Sequence, residues 1–165
     1  MSMNDRDLGT LVGIVMACDD VEGKLSRFGI DRTVWIHDRY LRDCVLMSIG
    51  RIGELAGKLS EECRSRFADV PWRQIRGMRN FIVHDYDNVN LDLAWDTVVN
   101  DAPALKERLL EDVSVSVVYE DEQRVIDDGL EDILSSMEVY RPPSDDLGMT
   151  ESCQHPCRCD QFDAR

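Results

Sequence analysis

The stretch Leu41-Arg42-Asp43-Cys44-Val45-Leu46-Met47-Ser48-Ile49-Gly50-Arg51-Ile52-Gly53-Glu54-Leu55-Ala56-Gly57-Lys58-Leu59 decides the fold. Within it Leu41, Cys44/Val45, Ser48, Ile52, Leu55 and Leu59 recur at intervals of mainly three and four residues. An α-helix turns once every 3.6 residues, so this spacing lays those side chains along one seam. Such a seam packs against near-parallel neighbouring helices. Arg42, Arg51, Glu54 and Lys58 fall on other faces.

The same pattern extends in both directions. Residues 5–26 predict a first amphipathic helix, with Leu8, Leu11, Val12 and Val15 at helical spacing and Phe28-Gly29 closing it. After the seam helix Pro71 interrupts the chain, and Trp72 opens a third helix that turns Ile75, Met78 and Ile82 inward. The polar turn Asp85-Tyr86-Asp87-Asn88 leads to a fourth helix, whose seam is Leu91, Trp95, Val98, Ala102, Leu105 and Leu109. Pro103 lacks a backbone donor and collides with the preceding turn, so a kink or restart is expected there. Short connections and no convincing strand predict an all-α antiparallel bundle of four to five helices over residues 5–113.

Past residue 113 the character changes. Ser114-Val115-Ser116-Val117 alternates like a strand but has no partner strand, so it reads as an extended linker. Residues 121–139 predict a further helix with Ile126, Leu130, Ile133 and Met137 on one stripe and an acidic opposite face. Residues 114–140 thus form an acidic accessory linker and helix. From Arg141 the chain is rich in Pro, Ser and Asp, and residues 141–165 read as a disordered C-terminal tail.

The 165 residues include 33 acidic and 19 basic side chains, for a net charge of −14. Neutralising phosphates over a broad surface requires a basic face, so this balance counts against nonspecific coating of nucleic acid. It leaves room for a small basic site. The excess is uneven: residues 1–113 carry 15 basic and 20 acidic groups, whereas residues 114–165 carry 4 and 13.

Cys18, Cys44 and Cys63 lie in amphipathic or apolar segments and read as buried thiols of a reducing cytosol. No run approaches the roughly 18–20 apolar residues of a membrane helix. Val15-Met16-Ala17-Cys18 faintly imitates a lipoprotein cleavage site, but the flank Asp5-Arg6-Asp7 lacks the positive charge of a signal peptide. A cytoplasmic protein without a membrane partner is the expectation. In the tail, Cys153-Gln154-His155-Pro156-Cys157-Arg158-Cys159 holds four soft ligands, yet Cys157-x-Cys159 is too tight for the usual zinc knuckle, so it reads as a terminal segment without metal.

The chemistry-bearing stretch is Arg73-Gln74-Ile75-Arg76-Gly77-Met78-Arg79-Asn80-Phe81-Ile82-Val83-His84-Asp85-Tyr86. Arg73, Arg76 and Arg79 recur every third residue and share one side of a helix. Two readings are open: a local phosphate site, since the planar guanidinium fork donates parallel hydrogen bonds, or a solvated face paired with nearby acids. Asn80 and His84 are four residues apart, so the amide can orient the imidazole. His84 can exchange a proton near neutral pH, or it can simply tie down the helix end. Arg79 and His84 are separated by about 140° and about 7.5 Å along an ideal helix, so both reach one phosphate if Arg79 reaches across, if the helix distorts near His84 or, most economically, if two protomers face each other.

Arg79-Asn80-Phe81-Ile82-Val83-His84-Asp85-Tyr86 matches the Arg-x4-His-x-Tyr signature of the HepT toxins, a branch of the HEPN superfamily. Ile52-Gly53-Glu54-Leu55-Ala56, Val70-Pro71-Trp72, Trp95 and Asp101-Ala102-Pro103-Ala104-Leu105 fall in that family's order, so the chain resembles it over residues 7–112. The resemblance implies an all-helical homodimer with Arg and His of both protomers in one cleft. It implies metal-independent RNA cleavage needing no cofactor. His84 would be general base or general acid, Arg79 would hold the scissile phosphate, and Asn80 would support them, with Arg73 and Arg76 on RNA phosphates.

It further implies a toxin–antitoxin pair, in which a minimal nucleotidyltransferase antitoxin neutralises the toxin by adenylylating Tyr86. An ordinary turn tyrosine is the other reading of Tyr86. A noncatalytic dimeric nucleotide- or partner-binding module is the alternative for the whole chain. The acidic extension after residue 113 is not inherited from the resemblance: it is a solvated helix, an RNA mimic across the arginine face, or a docking element for the antitoxin.

Overall fold

A computed structural model describes residues 3–84 and 90–138, without the side chains of residues 80, 81, 83, 84 and 132–138. The chain divides into two units, Met1–Asp128 and Gly129–Arg165. In the first unit α1 (Asp5–Arg27) and α3 (Arg39–Lys58) are the long central helices, with the short α2 (Arg32–His37) between them. The short α4 (Glu61–Arg66) leads to α5 (Trp72–His84). Then follow α6 (Leu91–Asp96), a π-helical turn Thr97–Asp101, α7 (Ala102–Leu110) and α8 (Val113–Glu138). Among the described residues the second unit contributes the end of α8.

The helices start where side chains can satisfy their orphan N–H groups. Asn4, Asp31, Asp38, Ser60 and Asn90 each accept a backbone N–H at the start of α1, α2, α3, α4 and α6. Gly29, at φ 58°, makes the left-handed turn that ends α1, a conformation with little steric cost only for glycine.

α1 and α3 run antiparallel. Asp7 of α1 accepts the Ser60 N–H (3.0 Å) and hydroxyl (2.5 Å) beyond the end of α3. Gly13 faces Leu55, and Lys24 donates to Ser48 at 2.6 Å. Burial raises the pKa of Asp7, but the Ser60 and Asn4 hydrogen bonds overcome it and leave the carboxyl below its ordinary value. The core between these helices holds Leu11, Ile14, Val15, Cys18 and Val21 of α1 with Val45, Ile49, Ile52 and Ala56 of α3. The apolar run that imitates a cleavage site is therefore a buried face of α1. Trp35 is fully buried, donates to the Leu91 carbonyl at 3.0 Å, and meets Trp95 at 5.5 Å between ring centroids.

The predicted fourth helix is realised as α6, the π turn and α7. Pro103 cannot donate to the turn before it, and the chain widens to π geometry over Thr97–Asp101 instead of breaking. α5 packs mainly on α3. A groove of about 450 Å³ separates it from α7, so Ile75 and Met78 are only half-buried.

Three expectations need correction. Ser114–Val117 is not an extended linker but the first turns of α8: Asp112 accepts the Ser114 N–H at 3.0 Å, and Val115 is fully buried in the core. Tertiary burial of one valine overrides the β-like alternation. Cys44 is exposed, because Val45 occupies the seam and Cys44 lies one residue off it; Cys18 and Cys63 are buried. Their thiols are pushed up to about 12 and about 11 by desolvation, which makes them inert packing groups. The short helices α2 and α4 were not expected at all. The tail 141–165, including Cys153–Cys159 and His155, lies outside the described residues.

Candidate functional site

The site begins with two glycines. Gly53 and Gly57 stand one turn apart on α3, and α5 passes over them. A Cβ on Gly53 would lie 2.5 Å from the Arg79 Cβ and 3.0 Å from the Ile75 carbonyl oxygen, while one on Gly57 would lie 4.0 Å from Arg76 Nε. The backbones approach this closely only because Gly53 has no side chain. Gly53 pairs with Arg79 and Gly57 with Arg76, so the two helices are antiparallel here.

The crossing leaves an open groove of about 650 Å³ along α3 and α5. Arg73, Arg76 and Arg79 line it from α5, as their spacing predicts, and Lys58 and Glu54 line it from α3. Arg79 forms an ion pair with Glu54. Among the described residues no acid pairs with Arg73 or Arg76, both of which are exposed. Among the described residues, four cations therefore face one groove with a single carboxylate in a chain of net charge −14. Of the two readings of the arginine series, pairing with a nearby acid is seen, among the described residues, at Arg79.

Asn80 and His84 occupy the last turns of α5, downstream of Arg79; their side chains, and the whole of Tyr86, lie outside the described set. Lys58 and Glu54 were read as other-face polar residues of a seam helix. The signal for their role was Gly53-x-x-x-Gly57, a pair of small residues that marks close backbone approach, but its meaning depends on knowing which helix crosses it.

No group of His, Cys, Asp and Glu among the described residues is arranged to hold a metal ion, and no described helix is long and apolar enough to cross a membrane.

Residues 18–111 match the family model described as Ribonuclease HepT-like. The chain is 32% identical over 83 residues to "Putative RNase TTE0752" of Caldanaerobacter subterraneus subsp. tengcongensis, covering 50% of this chain and 74% of that protein. It is 30% identical over 80 residues to "Putative RNase MJ1380" of Methanocaldococcus jannaschii, covering 48% and 73%. It is 29% identical over 69 residues to "Probable ribonuclease HepT" of Thermococcus cleftensis, covering 42% and 63%. No solved structure matches the chain. The Arg-x4-His helix crossing the glycines of α3 thus sits inside the matched region, and the chain belongs to the HepT-like ribonuclease family.

Proposed function

We propose that the protein is the toxin of a toxin–antitoxin pair and cleaves RNA without a metal ion. The observation that carries this reading is the gathering of Lys58 of α3 with Arg73, Arg76 and Arg79 of α5, the helix that reaches His84, in one groove of an otherwise acidic protein. In the reaction a ribose 2′-hydroxyl attacks the adjacent phosphorus and the 5′-oxygen of the next nucleotide leaves. The products are a 2′,3′-cyclic phosphate and a 5′-hydroxyl.

His84 takes the 2′-hydroxyl proton or gives one to the leaving oxygen, and in a homodimer the two copies divide these tasks. Arg79 exchanges Glu54 for the scissile phosphate and stabilises the charge that grows on its oxygens. Asn80 orients the imidazole, and Arg73 and Arg76 hold neighbouring phosphates.

A feature of α3 supports the dimer. Tyr40 and Met47 are 83% and 75% exposed, and with Cys44 they form a stripe that continues along the same face through Arg51, Glu54 and Lys58. A second copy seated on Tyr40 and Met47 would abut the groove. The antitoxin, a minimal nucleotidyltransferase, adds AMP to Tyr86; the added phosphate and nucleoside then compete with RNA for Arg79.

Expression of the wild-type chain should arrest growth, and the purified protein should cleave RNA in excess chelator. Arg79→Ala and His84→Ala should relieve both effects. Binding of RNA without cleavage in any condition would favour the noncatalytic module, and cleavage that persists in both variants would assign the activity elsewhere. Coexpression with the nucleotidyltransferase should add adenylate mass to the intact protein and none to Tyr86→Phe.

A further inference from the structure

The geometry points to Lys58 and the Gly57 floor as a binding track for the sugar–phosphate backbone of single-stranded RNA beside the scissile bond. This inference rests on the ribonuclease reading and names how its substrate is held.

Two observations lead there. The first is the line of charge. Arg79, Arg76 and Arg73 descend α5 in steps of three residues, and Lys58 faces the same groove from the C-terminal end of α3. From Arg79 to Arg73 the helix axis advances about 9 Å. A stacked strand advances about 3.4 Å per nucleotide, so the line spans between two and three steps and serves about three or four consecutive phosphates of one strand. Arg79 takes the phosphate nearest His84 in sequence, and Arg73 with Lys58 take those at the far end.

The second is the floor. Gly53 is covered by α5, but Gly57 and Gly77 are exposed in the groove lining, so between the cations a phosphate can approach backbone that carries no side chain. No Cβ contact within 4 Å awaits at Gly77, and only Arg76 lies at that distance from Gly57.

The acidic body sharpens the effect. With a net charge of −14, polynucleotide is repelled from most of the surface, so loss of one groove cation removes a large share of the attraction.

Fluorescence anisotropy with eight-nucleotide oligouridylate, oligoadenylate and oligocytidylate, titrated against the full-length protein over a range of salt, tests the track. Lys58→Ala and Arg73→Ala should each weaken binding by about five- to ten-fold. Each should also lower the slope of log affinity against log salt by about 0.7. Arg124→Ala, which removes an exposed charge on α8 paired with Asp121, should leave affinity unchanged.

Thermal melting of each variant separates loss of binding from loss of fold, and Lys58→Arg should restore affinity if Lys58→Ala weakens it. Unchanged affinity in Lys58→Ala, equal loss in Arg124→Ala, or equal affinity for a duplex of the same length would each overturn the proposal. Cleavage is scored separately. A protein that binds through Lys58 but never cuts keeps the track and loses the ribonuclease reading, whereas one that cuts and binds regardless of Lys58 loses the track alone.

Discussion

Two polar clusters of this protein contain the same kinds of side chain and have different consequences. At the α1–α7–α8 junction Lys106 bonds Asp19 at 2.6 Å and Glu22 at 2.9 Å, and the Tyr119 hydroxyl donates to Asp19 at 2.6 Å. One cation meets two carboxylates there, and all lie partly buried. These contacts raise the Lys106 pKa, chiefly through the hydrogen bond from its ammonium to Asp19, and desolvation together with the Asp19 bond pushes Tyr119 up to about 12. In the α3–α5 groove, among the described residues, four cations face one carboxylate and the cavity is open. A cluster whose charges are matched internally holds helices together. One whose charges are left over is ready for a ligand.

The sharpest way to break this contrast is Arg79→Ala. Loss of one preorganised donor to a developing oxyanion costs about 10²–10³ in rate, so cleavage should fall by that factor. Stability should change by less than about 1 kcal/mol, because the Arg79–Glu54 pair is well exposed. Equal losses of activity and stability would make the groove structural, like the junction.

Gly53→Val comes next. Its Cβ would sit on the Arg79 Cβ and the Ile75 carbonyl, so α5 must shift; overpacking of this kind costs about 1–3 kcal/mol. A urea midpoint unchanged from the wild type would show that the helices do not meet as closely as described.

At the junction, Lys106→Met should lower stability by about 1–2 kcal/mol, since it leaves Asp19 and Glu22 close together without their cation. RNA affinity should not change. The smallest effect is alkaline. Tyr119 ionises in the unfolded chain near pH 10 but only near 12 when folded, so the unfolded state releases its proton first. Stability should therefore be constant below about pH 10 and decline between about 10 and 12, and Tyr119→Phe should flatten that part of the curve. A wild-type curve already flat there would remove Tyr119 from the cluster.

The parts of the fold that could be read in advance are those specified by long periodicity. α1, α3 and the α6–α7 helix carry seams of three to five turns, and the positions predicted inward, such as Leu11, Val15, Ile52, Val98 and Leu109, are buried. α2 and α4 are six residues each, too short for any period to register, and depend on the caps Asp31 and Ser60. The start of α8 was misread because its local alternation favours a strand, whereas a core pocket for Val115 and the Asp112 cap favour a helix.

The candidate site shows the same division. Arg73, Arg76 and Arg79 share one helix, and their common side follows from spacing alone. Lys58 and Glu54 belong to another helix, and only the crossing at Gly53 brings them to the same groove. Whether a polar residue on a seam helix is surface or site depends on its neighbour, and one sequence does not state which helices are neighbours.

The central claim is that the leftover charge of the α3–α5 groove serves RNA cleavage while the matched charge of the junction serves the fold. Single-turnover cleavage of a single-stranded RNA in excess chelator, compared among wild type, His84→Ala and Lys106→Met, tests it most directly. The account predicts cleavage by wild type and by Lys106→Met at similar rates below their melting temperatures, and none above background by His84→Ala. Undiminished cleavage by His84→Ala, or no cleavage by a folded, dimeric wild-type protein, would contradict it.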